Sequence, residues 1–261
     1  MKRWLIYILT AAVAFAGCAE NPDISGGDGM ARVRVNMVSP EFEVVETRVL
    51  DTRYEYMWDN VWIAQFIGGN LVGTPKYYEE SSWDRILEVT QGADCVMYFV
   101  TNLGPSGNPF NGITTLTDFE QKKYTISSHS DIDGNGRLVM AGRWPETGTA
   151  SVPAGGNIMD MRVFVDRLTA KLDVIINVNQ GASLAEFLTG YLRMKSFRIF
   201  SVSNSVSFAE GNDSKATTAS GVYDLPAETL TQSGESGGTT LIYKPSTYYL
   251  LENMQGVHTY T

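Results

Sequence analysis

The stretch Ala31-Arg32-Val33-Arg34-Val35-Asn36-Met37-Val38 decides the fold class. Apolar residues alternate there with polar ones, and a period of two is typical of a β-strand with one face in a core and the other in water. Similar short stretches follow at 60–67, 86–89, 96–101, 123–126, 137–141, 161–165, 171–178, 197–202, 240–243 and 247–251. Turn clusters such as Gly68-Gly69-Asn70 separate them. Short strands with frequent turns predict an all-β protein built from sandwiches or barrels.

The chain divides at a segment that contains Pro and paired glycines. Residues 150–157 predict a boundary between an N-terminal β-sandwich, 31–157, and a C-terminal β-sandwich, 158–261. In the second half, Ser183 and Glu186 form a capping box before apolar residues at helical spacing. We interpret this segment as one short crossover helix laid on a sheet. The polar stretches 210–220 and 231–238 predict loops.

The composition excludes some classes of function. The 261 residues are 43% hydrophobic and carry a formal net charge of −9. An acidic chain lacks the positive surface that binds DNA or RNA, so nucleic acid is not expected as a partner. The sequence has two Cys and two His, which is too few for a structural zinc site. No cofactor fingerprint occurs, and we expect no cofactor.

The N-terminus has the pattern of a bacterial export signal. Lys2 and Arg3 precede an apolar segment, 4–16, that is shorter than the ~20 residues of a membrane-spanning helix. Phe15-Ala16-Gly17-Cys18 resembles a lipobox. We therefore expect a signal peptide over 1–17, lipid attachment at Cys18 and a flexible acidic tether over 18–30. The alternative is an ordinary signal peptide followed by an incidental cysteine.

Two other residues, of types that often act as nucleophiles, lie in sequence contexts that do not support such a role. Cys95 lies in the apolar run 95–100 and is expected to be buried. Ser236 lies in a G-x-S-x-G match, 234–238, but no apolar strand precedes it and no helix follows it, as a nucleophile elbow requires. A hydrolase would also need His129 or His258 within hydrogen-bond reach of Ser236. We predict a flexible loop there and no enzyme activity.

A partial calcium motif starts at residue 131. Asp131, Asp133 and Asn135 stand at alternate positions before a glycine, as in the opening of a calcium loop. The twelfth position is Gly142, where such a loop needs a bidentate glutamate. A plain turn is favoured, with no metal, and these three residues are only weak calcium candidates.

Four segments together resemble the fimbrillin-like lipoproteins of Bacteroidetes, the major and minor subunits of type V pili. The segments are the lipobox at Cys18 with its acidic tether; Thr47-Arg48 shortly before 60–66; 138–142 followed by 165–174, similar to the family's "P-M-S-G" turn and "R-x-x-A-K-x-x-V" strand; and 248–256, close to a "Y-x-P-E-N-M-x-G" segment with Leu251 in place of the proline.

The resemblance implies two tandem transthyretin-like β-sandwich domains on a lipoprotein of the outer membrane and cell surface. It also implies that an Arg-specific protease cuts after Arg48, or after Arg53 as the second choice, and removes the first strand. The vacated groove would then accept a strand from another fimbrial subunit. We expect that first strand to lie at a sheet edge, so that its loss exposes an apolar groove and unpaired backbone groups. The family's further strands after 248–256 are missing here, so we expect an incomplete second sandwich and a truncated chain.

Our functional prediction is a non-enzymatic, lipid-anchored fimbrial subunit or accessory tip protein. It would reside in the outer membrane through Cys18, join the fimbrium after maturation and contribute to adhesion to host or bacterial surfaces. The first alternative is a surface glycan-binding lipoprotein, in which at least three of four tryptophans line one exposed shelf: Trp58, Trp62, Trp83 and Trp144. The second is a secreted hydrolase that uses Ser236.

Overall fold

The computed structural model describes residues 29–39, 57–79, 84–133, 137–179, 194–209, 222–236 and 240–251. Several predicted features lie outside these residues, among them the signal peptide, Cys18, Arg48, Arg53, Trp83, Asn135, the crossover helix at 183–192, the loop at 210–220 and His258.

Strands make up most of the described structure. The first part of the chain folds into β1 (Met30–Val38), β2 (Val61–Ile67), β3 (Asn70–Tyr78), β4 (Asp84–Thr90), β5 (Gly92–Thr101), α1 (Leu116–Glu120), β6 (Lys123–Thr125), α2 (Ser130–Asp133), β7 (Met140–Trp144), β8 (Ala150–Val152) and β9 (Gly155–Arg167). The later part adds β10 (Thr169–Leu172), β11 (Ile176–Asn179), β12 (Ser196–Phe197), β13 (Val202–Ser203), β14 (Ser205–Ser207), β15 (Val222–Tyr223), β16 (Glu228–Thr229), β17 (Gln232–Ser236), β18 (Thr240–Tyr243) and β19 (Tyr248–Leu251). The helices are short, and the all-β class predicted from the sequence is confirmed.

One large sheet organises the first part of the chain. Its strands run in the order β3-β2-β5-β7-β9-β1-β4, and β8 pairs with β5. The long strand β9 belongs to both halves of this order, since it pairs with β1 up to Phe164 and with β7 from Val165 to Arg167. The curved sheet therefore folds over itself as a sandwich, with β4, β1 and most of β9 facing β2 and β5.

The first strand is an inner strand, and the prediction that it lies at a sheet edge is wrong. β1 pairs antiparallel with β4 on one side and parallel with β9 on the other. Alternation in a sequence shows that one face of a strand is buried, but it carries no signal about the neighbours on either side.

The first core fills the sandwich between the two layers. Its buried residues come mainly from β1, β4 and β9 on one layer and from β2 and β5 on the other, including Val33, Val35, Leu87, Val163, Val61, Ile63, Met97 and Phe99. A second core covers the opposite face of β2 and β5, around Trp62, Phe66, Tyr98 and Phe119. Because β2 is buried on both faces, its sequence reads as an apolar run instead of an alternation.

Residues from the later part of the chain complete the second core. Val206, Phe208, Tyr249 and Leu251 all pack in it, and β14 pairs antiparallel with β6. The domain boundary predicted after residue 157 falls inside β9, whose pairing continues to Arg167. The first sandwich thus includes β9, and the division of the chain into two domains stays a prediction.

One predicted loop is in part a strand. Within 231–238, β17 pairs antiparallel with β18, and β18 also pairs with β11. The prediction of a loop there was wrong. The hydrogen bonds between paired strands come from the backbone, so polar residues form them as readily as apolar residues when a partner strand is adjacent.

Candidate assembly surface around the first strand

The inward face of β1 is sealed in the first core. Its four inward side chains are Ala31, Val33, Val35 and Met37, and none is more than 6% exposed. Burial of an aliphatic side chain of this size contributes about 1.5–3 kcal/mol for each valine or methionine. The strand is therefore held from below by apolar packing.

The outward face of β1 is open to solvent. Arg32, Arg34 and Asn36 point to that side and are exposed, and Arg34 forms an ion pair with Asp160 on β9 at 3.3 Å. Exposed ion pairs of this kind contribute little to stability. No other layer covers the outward face among the described residues. β1 thus occupies a slot with two walls, β4 and β9, and an apolar floor.

Removing β1 would expose three kinds of surface at once. The ladder groups of β4 would lose partners from Met30 to Asn36, and those of β9 would lose partners from Ala31 to Val38. The floor residues, such as Leu87 and Val163, would meet water. An extended strand with apolar residues at every second position satisfies all three surfaces, which is the chemistry of strand addition.

The sequence stretch that follows β1 carries both candidate processing sites. The described residues stop at Ser39 and resume at Met57, and Arg48 and Arg53 lie between them in the sequence. A cut at either position would separate β1 from the rest of the chain. Their own structure lies outside the described residues, so their roles stay predictions.

The tryptophans do not form the shelf that the glycan-binding alternative requires. Trp58 is 8% exposed in the first core and Trp62 is 9% exposed in the second core. The Trp62 indole also donates to the Gly104 carbonyl at 2.9 Å and packs on Tyr77. With these two buried in different cores, three of the four tryptophans cannot share one exposed surface.

Asp131 has a structural role, and the strand that contains Ser236 does not fit a nucleophile elbow. Asp131 accepts hydrogen bonds from the backbone N–H groups of Ser127 and Ser128 at 2.7 and 3.0 Å, next to the start of α2. The N–H groups of Ser128 and Ser127 hold the pKa of Asp131 below its usual value. No group of three or more metal-binding side chains occurs in the described part of the chain. Ser236 ends β17 in a hairpin with β18, which is not a strand-to-helix turn.

Cys95 is a buried thiol, as its sequence context predicts. It is 0% exposed and is not in a disulfide. Burial raises the pKa of the Cys95 thiol, and the Gln65 side-chain amide donates to its sulfur at 3.4 Å. A buried thiol held in the neutral form is a poor nucleophile.

No protein-family model and no curated protein matches the sequence. Solved structures match it in fold. A candidate cell-adhesion protein from Parabacteroides distasonis superposes with a TM-score of 0.52 at 12% sequence identity, over 87% of this chain and 71% of that one. The tip fimbrial protein from Porphyromonas gingivalis, with a C-terminal truncation, gives a TM-score of 0.50 at 14% identity, over 86% of this chain and 68% of that one.

The chain therefore has the all-β fold of Bacteroidetes fimbrial and adhesion proteins. The structural resemblance predicted from the four sequence segments is confirmed. Identities this low show the fold alone. Among the described residues, no helix has both the length and the apolar character needed to cross a membrane.

Proposed function

We propose that this protein is a non-enzymatic structural component of a fimbrium on the cell surface, either a subunit or an accessory tip protein. In this proposal it is exported, anchored to the outer membrane through a lipid on Cys18, and cut after Arg48 or Arg53. The slot of β1 then receives a strand from a neighbouring subunit. The observation that carries the proposal is the position of β1 in a slot with an apolar floor and an open outward face.

Replacement of β1 by another strand costs less free energy than the loss of β1 without a replacement. A departing β1 leaves unpaired backbone on both β4 and β9, and each unpaired buried group costs about 1–3 kcal/mol. An incoming strand of the same alternation restores both ladders and the core contacts. Because two ladders must break together, we expect β1 to stay bound after cleavage until a donor strand displaces it.

Repetition of this contact generates a filament. The donor strand of one subunit and the slot of the next are different surfaces, so the contact is heterologous and does not close on itself. The structural neighbours are fimbrial and adhesion proteins, which supports a role of this class.

Limited trypsin digestion tests the proposal. Cleavage at Arg48 or Arg53, identified by mass spectrometry, should leave the fold intact, and an added donor peptide should then displace the fragment that contains β1. The Arg48→Gln/Arg53→Gln double variant is the control and should resist both steps. If both sites are cut and no alternating strand displaces β1, strand exchange is contradicted.

A disulfide lock separates slot exchange from other routes of assembly. Arg34 and Ile86 face each other across β1 and β4, and both side chains point outward, where a disulfide leaves the core undisturbed. In a Cys18→Ser background, the oxidised Arg34→Cys/Ile86→Cys variant should not exchange β1, and its reduced form should. Equal binding of the donor peptide by both forms would show that β1 does not have to leave.

A further inference from the structure

A cationic groove lies along the edge of β4 that points away from β1 and towards β3. Its volume is ≈ 340 Å³, and it is lined by residues of β1, β3 and β4: Arg32, Lys76, Tyr78, Arg85, Ile86, Leu87 and Glu88. β3 and β4 stand at the two ends of the strand order. The groove therefore marks the gap that prevents the sheet from closing into a barrel.

The backbone of β4 is free on the groove side at Ile86. The Gln65 side chain binds both the N–H and the carbonyl of Thr90, so the backbone of Thr90 points away from β1. In an antiparallel strand every second residue points the same way, which places the backbone groups of Glu88 and Ile86 on this side too. Lys76 donates to the Glu88 carbonyl at 2.9 Å. No partner is seen for the backbone of Ile86 among the described residues.

The side chains around this free backbone are mainly cationic. Among the described side chains that line the groove, Arg32, Lys76 and Arg85 are cationic and Glu88 is the one carboxylate. Arg85 stacks over the Tyr78 ring at 4.7 Å, and Ile86 is 39% exposed. The whole chain has a net charge of −9. The cluster of cations beside the open strand edge therefore has the opposite sign to the net charge of the protein.

We propose that the outer edge of β4 binds an extended acidic peptide segment of a partner protein as an additional strand. The peptide backbone pairs with the N–H and carbonyl of Ile86, and its carboxylates contact Arg32 and Lys76. Exposed sheet edges are ordinarily blocked against other chains. Here Gln65 binds both backbone groups of Thr90 and Lys76 binds the Glu88 carbonyl, while the backbone of Ile86 has no partner among the described residues. The site differs from the β1 slot, since the peptide binds while β1 is in place and Arg32 of β1 lines the groove.

The free backbone favours a peptide over other anionic ligands. Main-chain groups at a sheet edge recognise an extended backbone through N–H and carbonyl pairs, and the flanking side chains supply specificity. An anionic glycan would use the cations but would leave the Ile86 amide and carbonyl without partners. The charges also predict that binding weakens as salt is raised.

The test uses a fluorescein-labelled heptapeptide of alternating sequence, TEVEVET, with blocked ends, and the full protein with β1 intact. Fluorescence anisotropy should show saturable binding that weakens at least tenfold between 50 and 300 mM NaCl (roughly the range over which exposed charges become screened). The Arg32→Gln/Lys76→Gln variant should lose at least tenfold in affinity. Arg162→Gln is the matched control, since Arg162 lies on the same outward face over the Phe164 ring, and it should bind as the parent protein does.

N-methylated peptides show whether a strand is formed. Methyl groups on alternate amides of one parity should abolish binding, and methyl groups on the other parity should not, because only every second amide of an added strand faces β4. Ile86→Pro removes the backbone N–H that faces the groove and should weaken binding tenfold. Ile86→Val keeps this N–H and should not weaken binding.

Three results would overturn the inference. They are absence of saturable binding, equal binding of both methylated peptides, and full competition by heparin with no loss in the Ile86→Pro variant, which would indicate a site for anionic glycans. None of these results bears on the exchange of β1, since β1 is in place throughout.

Discussion

Gln65 and Thr90 are joined by two hydrogen bonds across the sandwich. The Gln65 side-chain amide donates to the Thr90 carbonyl at 2.7 Å, and its oxygen accepts from the Thr90 N–H at 2.9 Å. One side chain of β2 thus takes the place of a neighbouring strand at the end of β4. The same amide also reaches the sulfur of Cys95.

Replacement of Gln65 tests this contact. Gln65→Glu should destabilise the protein by about 2 kcal/mol at pH 7, because the Thr90 carbonyl loses its donor and faces a charge. The deficit should shrink as the pH falls, since a protonated carboxyl regains an O–H donor. Gln65→Met, which removes both bonds, should show a deficit that does not depend on pH. Urea unfolding between pH 4 and 7 measures both, and parallel pH dependence of the two variants would contradict the two-bond contact.

Gly142 allows β7 and β9 to pair closely. A Cβ at this position would lie 2.2 Å from the Phe164 carbonyl oxygen and 2.8 Å from a Val165 methyl. Gly142→Ala must therefore separate two paired strands, and we expect a loss of about 3 kcal/mol, near the upper end for overpacked sites. Gly234→Ala is the control, because its Cβ would meet only Ile242 Cδ1 at 4.0 Å. Equal unfolding midpoints for the two variants would show that β7 and β9 can accommodate a Cβ at position 142 without a loss of stability.

Glu228 is held by two residues that follow β18. Its carboxylate accepts hydrogen bonds from the Tyr248 hydroxyl and from the backbone N–H and hydroxyl of Ser246. The Tyr248 bond, followed by the Ser246 bonds, lowers the pKa of Glu228. Burial and the Glu228 carboxylate raise the pKa of Tyr248 to about 12.

These shifts predict stability losses at both ends of the pH scale. The contribution of Glu228 is present above the pKa of an ordinary glutamate and is lost as the pH falls through its lowered value. The contribution of Tyr248 is present below the ordinary pKa of 10.0 and is lost as the pH rises towards about 12. Tyr248→Phe should flatten both limbs of the stability profile, and absorbance at alkaline pH should show the loss of one late-titrating tyrosine. Unchanged limbs would mean that the pair does not contribute.

The thiol of Cys95 should react only in the unfolded protein. In a Cys18→Ser background it is the remaining cysteine of the sequence, so an aromatic disulfide reagent reports on it alone. We expect labelling in 6 M guanidinium within the mixing time and labelling of the native state at least a hundredfold slower, because the thiol is buried and neutral. Rapid native labelling would show that β5 opens frequently.

The fold class could be predicted from the sequence because the burial of strand faces determines where apolar residues recur along the chain. β1 alternates and has one buried face, and β2 is an apolar run with two buried faces. The paired glycines 68 and 69 also marked a tight hairpin, and both have positive φ, 54° and 80°.

Other elements left no such signal. β3 was not predicted because Gly73 and Pro75 interrupt it, yet a strand at the end of a sheet tolerates both. The capping box of Thr115 and Asp118 precedes a helix of only five residues, α1, which is too short to show the apolar periodicity that the segment 183–192 has. The neighbours of β1 and the groove at β4 depend on residues far apart in the chain, and a periodicity cannot report on those.

The position of β1 has a mechanical consequence. Tension applied to the chain at Met30 acts along the axis of β1, which pairs with β4 from Met30 to Asn36 and with β9 between Ala31 and Val38. Both ladders then carry the load at once, and their hydrogen bonds must break together instead of one pair after another. A strand held in this way resists a force along its axis more strongly than a strand that can be peeled away from one end.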